Sequence, residues 1–468
     1  MALDPATFET LAPSRFVTFT FPHPSHPNSL LRVAVLDSPI QPADSPRVAA
    51  MFVPEHRESD WIFSTDSGHL QLLLNSPGIS RLILIGNQPI AGYCLSKIYH
   101  RPINNDPNIP EVTLKPLLLA LSPKSSFENG IPEIPVLSYE DNVISSVVLE
   151  HCIGSFVGEM LVEDVELECG SGVGQCIKRE FRRRLRFKRM PNLIQTEIPI
   201  VSEEGFGSDR LKIGEVEFRP DNKVLVHPYL TPMVASLGLM GSRIEERIQS
   251  GVRPKALCVG VGGGALLAFL KTQLGFDVVG VEVDKEVLRV ARQYFGLDGN
   301  DSIRVLIGDA INVIESLAYR AKGHNLGYFG VHEAENGSYL CGSSDVNNKF
   351  DVVMVDLDCS DAKNGTSAPP LEFVRKHVLL AAKLVLYDFG LLAINVIPPN
   401  RSFYEKLTQA FREVFHELYE IEVGNGENIV LVATMSPTMS SNSGCENSFL
   451  IRLRLLISGA YMDSIRKI

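Results

Sequence analysis

A chain of 468 residues with 45% hydrophobic and 21% charged side chains is long enough for two or three domains and can bury a real core. Its formal net charge of -11 argues against a general nucleic-acid binder and leaves room for a cationic partner. Eight cysteines without a CxxC pair suggest neither a disulfide framework nor a metal site, and no apolar run nears the ~18 residues needed to cross a bilayer, so a soluble, cytoplasmic protein without a membrane contact is expected.

Residues 1–44 are rich in Pro and Ser ("FPHPSHPNSL") and read as an extended leader. An N-terminal α/β region follows over 45–192, with strand-like runs at 82–85, 117–121 and 136–137. Its one concentrated basic stretch, "REFRRRLRFKR" at 179–189, alternates with Phe181, Leu185 and Phe187, which suits a strand with one wet face better than a surface for RNA or an acidic partner. Residues 193–232 read as a β-hairpin connector. A helix begins near Pro232, with Met233, Leu237, Met240, Ile244 and Ile248 at helical spacing, and closes at Gly251.

Over 233–435 the pattern becomes regular. Aliphatic runs at 256–260, 278–282, 303–307, 350–356, 391–396 and 429–433 alternate with amphipathic helical stretches, as expected for a mostly parallel α/β sheet covered on both faces. The stretch 323–348, rich in Gly, Asn and Ser, reads as an inserted loop, and 436–468 as a flexible linker followed by a terminal helix.

Ligands of such sheets bind at the carboxyl ends of the strands. At the first, Gly260, Gly262, Gly263 and Gly264 form a strand-to-helix turn that permits unusual backbone angles and close approach of a ligand. The second ends at Glu282, about twenty residues on, where a carboxylate can accept both hydroxyls of a ribose. The third ends in "GDA", placing Asp309 and Ala310 beside it, with Asp309 able to meet an adenine amino group. Gly260, Gly262 and Ala265 also satisfy a dinucleotide spacing, but no hydride-transfer set follows; S-adenosylmethionine, with ribose and adenine and no phosphate, uses all three positions.

The fourth strand ends at Asp356, with Asp358 and Asp361 just beyond; Asp361 reads rather as a helix cap. Methyl transfer is an in-line displacement that needs orientation and a desolvated approach, and carboxylates at this mouth favour an amine acceptor. Asn395, ahead of Pro398 and Pro399, is a candidate for the substrate side, and His377 reads as a packed core histidine.

With these residues in view, "VGVGGGAL", "VEVDKEVL", "GDA" and "VDLDCSD" resemble the spermidine synthase-like branch of seven-stranded class I methyltransferases. "WIFSTDSGHLQLL" at 61–73, "LIQTE" at 193–197 and "HPYLTPMVASLGL" at 227–239 extend the resemblance, over roughly 45–435, to the middle and C-terminal parts of the elongation factor 1-alpha lysine and N-terminal methyltransferase family. The resemblance implies a Rossmann-like sheet with an antiparallel last strand, S-adenosyl-L-methionine as cofactor, and a protein substrate with a free amine, possibly the N-terminus of elongation factor 1-alpha. Carried over by motif, Gly260, Gly262, Glu282, Asp309 and Asp356 become the cofactor and reaction-edge positions; Gly264 and Ala310 are added as candidates beside the cofactor, and Asp358 and Asn395 as candidates at the reaction edge. Related folds often pair, so a homodimer is possible. Two departures stand out: the family's separate N-terminal lysine methyltransferase domain has no counterpart here, and the Tyr-x-Glu of polyamine enzymes reads "YLT" at Tyr229. A polyamine aminopropyltransferase and a catalytically silent scaffold are the alternatives.

Overall fold

The computed structural model describes residues 5–24, 26, 29–40, 46–88, 98–102, 111–128, 130–169, 178–203, 211–297, 303–322, 349–361, 363, 365–438, 447–457 and 459–468. The inserted stretch expected at 323–348 lies outside them. Three sheets organise the chain.

The first sheet is built from β1 (Phe16–Pro22), β2 (Leu30–Asp37), β3 (Val48–Phe52) and β4 (Arg81–Asn87), which is preceded by helices α1 (Trp61–Ser64) and α2 (Asp66–Leu74). After β5 (Ile98–His100) and α3 (Glu111–Ala120), β6 (Val136–Leu137) completes it in the order β1-β2-β4-β3-β6. Period-two alternation sorts the two faces. Val33, Val35, Ile83 and Ile85 pack with Leu114 and Leu118 of α3, while Leu36, Leu82 and Leu84 pack with Ile62, Phe63, Leu72 and Leu73 of α1 and α2. Two expectations are corrected here. The proline-rich start is not merely an extended leader, because "FVTFTF" pairs residue for residue with β2. The run at 117–121 falls at the end of helix α3, since a short apolar run carries no period that separates strand from helix.

The second sheet is antiparallel and joins the N-terminal half to the C-terminal half. Its long strands are β7 (Val143–Gly154), β8 (Gly158–Cys169), β9 (Lys178–Phe187) and β10 (Ile194–Ser202), followed by β11 (Phe218–Pro220), in the order β11-β10-β9-β8-β7-β5. β9 holds the basic stretch, and its arginines are matched to acids on neighbouring strands. Arg183 grips Asp164 through two bonds of 2.6 and 2.9 Å, Arg182 and Arg184 both bond Glu197, and Arg186 meets Glu163 at 3.0 Å. The stretch therefore spends its charge inside the fold. β10, expected in a separate connector, is the next strand of this sheet.

The third sheet begins after α4 (Leu230–Ala235), a 3-10 turn (Ser236–Met240) and α5 (Gly241–Gln249), the helical region expected from Pro232, closed at Gly251 with φ 77°. Next come β12 (Lys255–Val259), α6 (Ala265–Leu274), β13 (Asp277–Glu282), α7 (Lys285–Phe295), β14 (Ile303–Ile307) and α8 (Ala310–Ala321). The second half follows with β15 (Phe350–Val355), α9 (Lys376–Leu384), β16 (Leu386–Val396), α10 (Arg401–Arg412), β17 (Glu417–Glu422) and β18 (Ile429–Thr434). The order is β14-β13-β12-β15-β16-β18-β17, with β18 antiparallel to both its neighbours. This is the expected doubly wound arrangement, with one strand, β17, that its charged alternation "ELYEIE" concealed. Helices α11 (Ser448–Leu456) and α12 (Gly459–Asp463) lead to β19 (Arg466–Lys467), which adds an eighth strand beside β17. Alternate residues of β12 point to opposite cores, Ala256 and Cys258 into one and Leu257 and Val259 into the other. Among the described residues no helix is long and apolar enough to cross a membrane.

Candidate active site

Strand order reverses between β12 and β15, so the carboxyl ends of these strands splay around a crevice, the usual ligand position of an open α/β sheet. A cavity of about 500 Å³ opens there. Its wall includes Gly260, Gly262, Glu282, Asp356, Asp358 and Asn395, so six of the nine expected site residues meet in one place. The other three do not reach it. Gly264 begins α6 in the left-handed region with φ 82°, and a side chain there would strike Leu297. Asp309 is exposed and caps α8 by accepting from the Asn312 N–H at 3.0 Å. Ala310 packs partly against the core beneath α8.

The glycine turn is crowded by protein as well as open to a ligand. A Cβ on Gly260 would lie 2.1 Å from the Asp356 carbonyl oxygen, and one on Gly263 would meet Thr196 and the Phe295 ring. Thr196, on β10, accepts a hydrogen bond from the Gly263 N–H at 2.8 Å. The second sheet is thus bolted directly to the turn of the third.

Glu282 sits at the tip of β13 with 8% exposure. One carboxylate oxygen accepts from Val261 N–H (3.2 Å) and Gly262 N–H (3.4 Å), the other from Val283 N–H (3.0 Å) and Asp284 N–H (3.1 Å). Burial pushes its pKa up and these four donors pull it back. Each oxygen already accepts two N–H groups, and the long bonds from Val261 and Gly262 are the ones that would yield most readily to a hydroxyl in the cavity.

Across the crevice, Asp356 lies at the tip of β15. Desolvation pushes its carboxyl up to about 6, opposed by hydrogen bonds from Asn395 and Tyr229. Asn395 Nδ2 donates to Asp356 Oδ1 at 3.2 Å, and Asn395 Oδ1 in turn accepts from Asn428 Nδ2 at 2.8 Å. Burial beside Asp356 raises the Tyr229 phenol well above its ordinary value, so it stays a donor. Asp358 is held differently: Arg189, just past the end of β9, donates to both its oxygens at 2.9 and 3.1 Å and also reaches the Ser360 carbonyl.

Sequence reasoning passed over several wall residues. Gln195 and His227 are wall residues whose Nε2 atoms, closed off from solvent, have no hydrogen-bond partner among the described residues. Burial lowers the His227 pKa to about 4, so the ring is neutral at pH 7. Both belonged to segments quoted only for resemblance, and neither carries a local pattern. His377, in contrast, is exposed rather than packed, and faces Glu315 at 3.6 Å.

Fold and site together define a doubly wound α/β domain with the strand order of class I methyltransferases, joined to an N-terminal α/β body. The chain is similar to the eEF1A lysine and N-terminal methyltransferases: the Homo sapiens protein is 25% identical over 423 residues, which is 86% of this chain and 53% of that protein. The Drosophila melanogaster homolog is 24% identical over 397 residues, 84% of this chain and 49% of that protein. A polyamine aminopropyltransferase of Vibrio vulnificus is 24% identical over 217 residues, 45% of this chain and 58% of that protein. The chain spans about half the length of the eEF1A methyltransferases it matches. No family model matches it. Among solved structures, human methyltransferase-like protein 13 in complex with SAH aligns with a TM-score of 0.38 at 24% identity, over 50% of this chain and 93% of that one.

Proposed function

We propose that this chain is an S-adenosylmethionine-dependent methyltransferase acting on a protein amine, with the N-terminus of translation elongation factor 1-alpha as the first substrate to test. A cytoplasmic site of action goes with that substrate. The observation that carries the reading is the pairing, across one crevice, of a buried carboxylate at the β13 tip with a desolvated carboxylate at the β15 tip.

The residues present fit the cofactor. Glu282 presents a buried carboxylate at the crevice edge for ribose hydroxyls, and Gln195 and His227 add polar side chains to the same wall. When bound, S-adenosylmethionine supplies an electrophilic methyl group. The chain's own contribution is at the other partner. Asp356, ionised at neutral pH, accepts an N–H from the incoming amine and so aims the nitrogen lone pair away from itself. Asn395 and Tyr229 both hydrogen-bond that carboxylate and hold it at the crevice wall. Asp309 caps α8 at the neighbouring strand tip, outside the crevice wall, so the adenine role expected of it has no support in this geometry.

The test is incubation of the pure chain with isotopically labelled S-adenosylmethionine and purified elongation factor, followed by mass spectrometry of the N-terminal peptide. Label on the α-amine is expected. Transfer of an aminopropyl group to putrescine from the decarboxylated donor would replace this reading with the polyamine one, which the position of Thr231 where those enzymes carry Glu disfavours.

A further inference from the structure

A second hollow, a groove of about 940 Å³, runs outward from the active-site crevice and shares Leu193, Thr366, Ile397, Glu427 and Asn428 with it. One wall is the turn between β17 and β18. The other belongs to the N-terminal half: the end of α2, with Gln71, Leu74 and Asn75, and the turn between β9 and β10. Gln71 Oε1 accepts from the Asn192 N–H at 3.1 Å, so α2 fixes that turn in place.

Chemistry along the groove is one-sided. Glu422 and Glu427 are its charged groups, and no Lys or Arg is among the described residues that line it. Glu427 is exposed and has no ion pair among the described residues, while Glu422 faces Arg466 at 3.6 Å on its outer side. Asn192, on the same wall, has an Oδ1 closed off from solvent and without a hydrogen-bond partner among the described residues. The inner end of the groove is coupled to the reacting carboxylate, because Asn428 bonds Asn395, which bonds Asp356. A cleft with carboxylates and acceptors, leading to an amine-accepting site, matches a polypeptide end that carries positive charge and backbone N–H groups.

Resting on the methyltransferase reading above, we propose that this groove receives the chain end of the protein substrate, an extended segment with a free α-amine followed by basic side chains, and that the N-terminal α/β body supplies one of its two walls. The body is then a substrate-recognition element rather than an appendage.

Fluorescence anisotropy with the full chain and three ten-residue peptides, labelled at the C-terminus, tests this. One has a free α-amine with lysines at its second and fourth positions, one is the same peptide acetylated, and one carries glutamates in place of lysines. The lysine peptide is expected to bind at least about tenfold more tightly than the glutamate peptide, and Asn75→Lys and Glu422→Lys should each weaken it by about fivefold through repulsion at a solvated distance. Both variants alter exposed positions outside the crevice wall, so calorimetric affinity for S-adenosylhomocysteine should not change. Equal binding of the lysine and glutamate peptides, or indifference of both variants, overturns the groove assignment. Charge-selective peptide binding without any S-adenosylhomocysteine binding would leave the groove standing and remove the methyltransferase reading; the reverse pattern does the opposite.

Discussion

Replacing Glu282 separates the cofactor role from the structural one. The carboxylate accepts four backbone N–H groups and borders the crevice. In Glu282→Ala all four lose their acceptor, but the adjoining cavity admits water to replace it, and removal of a desolvated charge returns part of the loss. A net destabilisation of about 1–2 kcal/mol is expected. Cofactor affinity should suffer more, because two charge-assisted bonds to ribose hydroxyls disappear; about 2–3 kcal/mol corresponds to a Kd raised roughly 30- to 150-fold. Glu282→Gln is the sharper probe. Its single oxygen can satisfy one pair of N–H donors, while its amide would point N–H groups at the other pair, so it should be no better than alanine in either readout. Calorimetric titration with S-adenosylhomocysteine and thermal unfolding of wild type and both variants supply the numbers. A Glu282→Gln protein that binds within threefold of wild type would refute the assignment of this carboxylate to the ribose.

Three further outcomes follow from the same geometry. Asp356 has a folded pKa raised to about 6, so the fold favours its protonated form and loses stability as pH climbs from the unfolded carboxyl value through 6; Asp356→Asn should flatten the unfolding free energy between pH 5 and pH 7 by about 1–2 kcal/mol while abolishing turnover, and a wild-type curve that rises over that range through this group would contradict it. Since the ionised form is the working one, wild-type turnover should fall below pH 6, and Tyr229→Phe, by removing a donor to that carboxylate, should move this acidic limb upward by about half a unit to one unit; an unmoved limb in kcat against pH sinks the link. Arg183→Met leaves the buried Asp164 without its partner and should cost about 3–5 kcal/mol in chemical denaturation, whereas Arg183→Met with Asp164→Leu should recover most of it; an equal loss in the double variant would mean that the pair matters for more than its own charge balance.

The parts of this molecule that were legible in its sequence are those where a local pattern and a chemical type coincide. β12, β13 and β15 are aliphatic runs that stop at Gly260, Glu282 and Asp356, and a buried parallel strand ending in such a residue has few meanings. β17 was hidden because glutamates interrupt its apolar residues, and Glu417 and Glu420 partner Lys467 and Arg466 of a two-residue strand nearly fifty positions later. His377 was misread because α9 starts only at Lys376, and within its first turn His377 lies on the exposed side while Val378 and Leu379 are buried. Asp309 stands at the tip of β14, yet one of its oxygens is committed to capping α8, a local bond that Asp readily forms where a helix begins after it.

What the sequence pattern could not carry is the seam between the two halves. Thr196 lies 67 positions before the glycine it bonds, and Arg189 lies 169 positions before Asp358. No periodicity links such pairs, because their encounter is set by how the antiparallel sheet docks on the parallel one. The consequence reaches the chemistry. The glycine turn is fixed from outside by β10, the loop after β15 is tied down by the turn after β9, and the groove that leads to Asp356 is half built by α2. A crevice whose floor and approach are contributed by strands this distant in the chain is rigid only when both halves are folded together, which makes the N-terminal body part of the site's preorganisation and not only part of its surroundings.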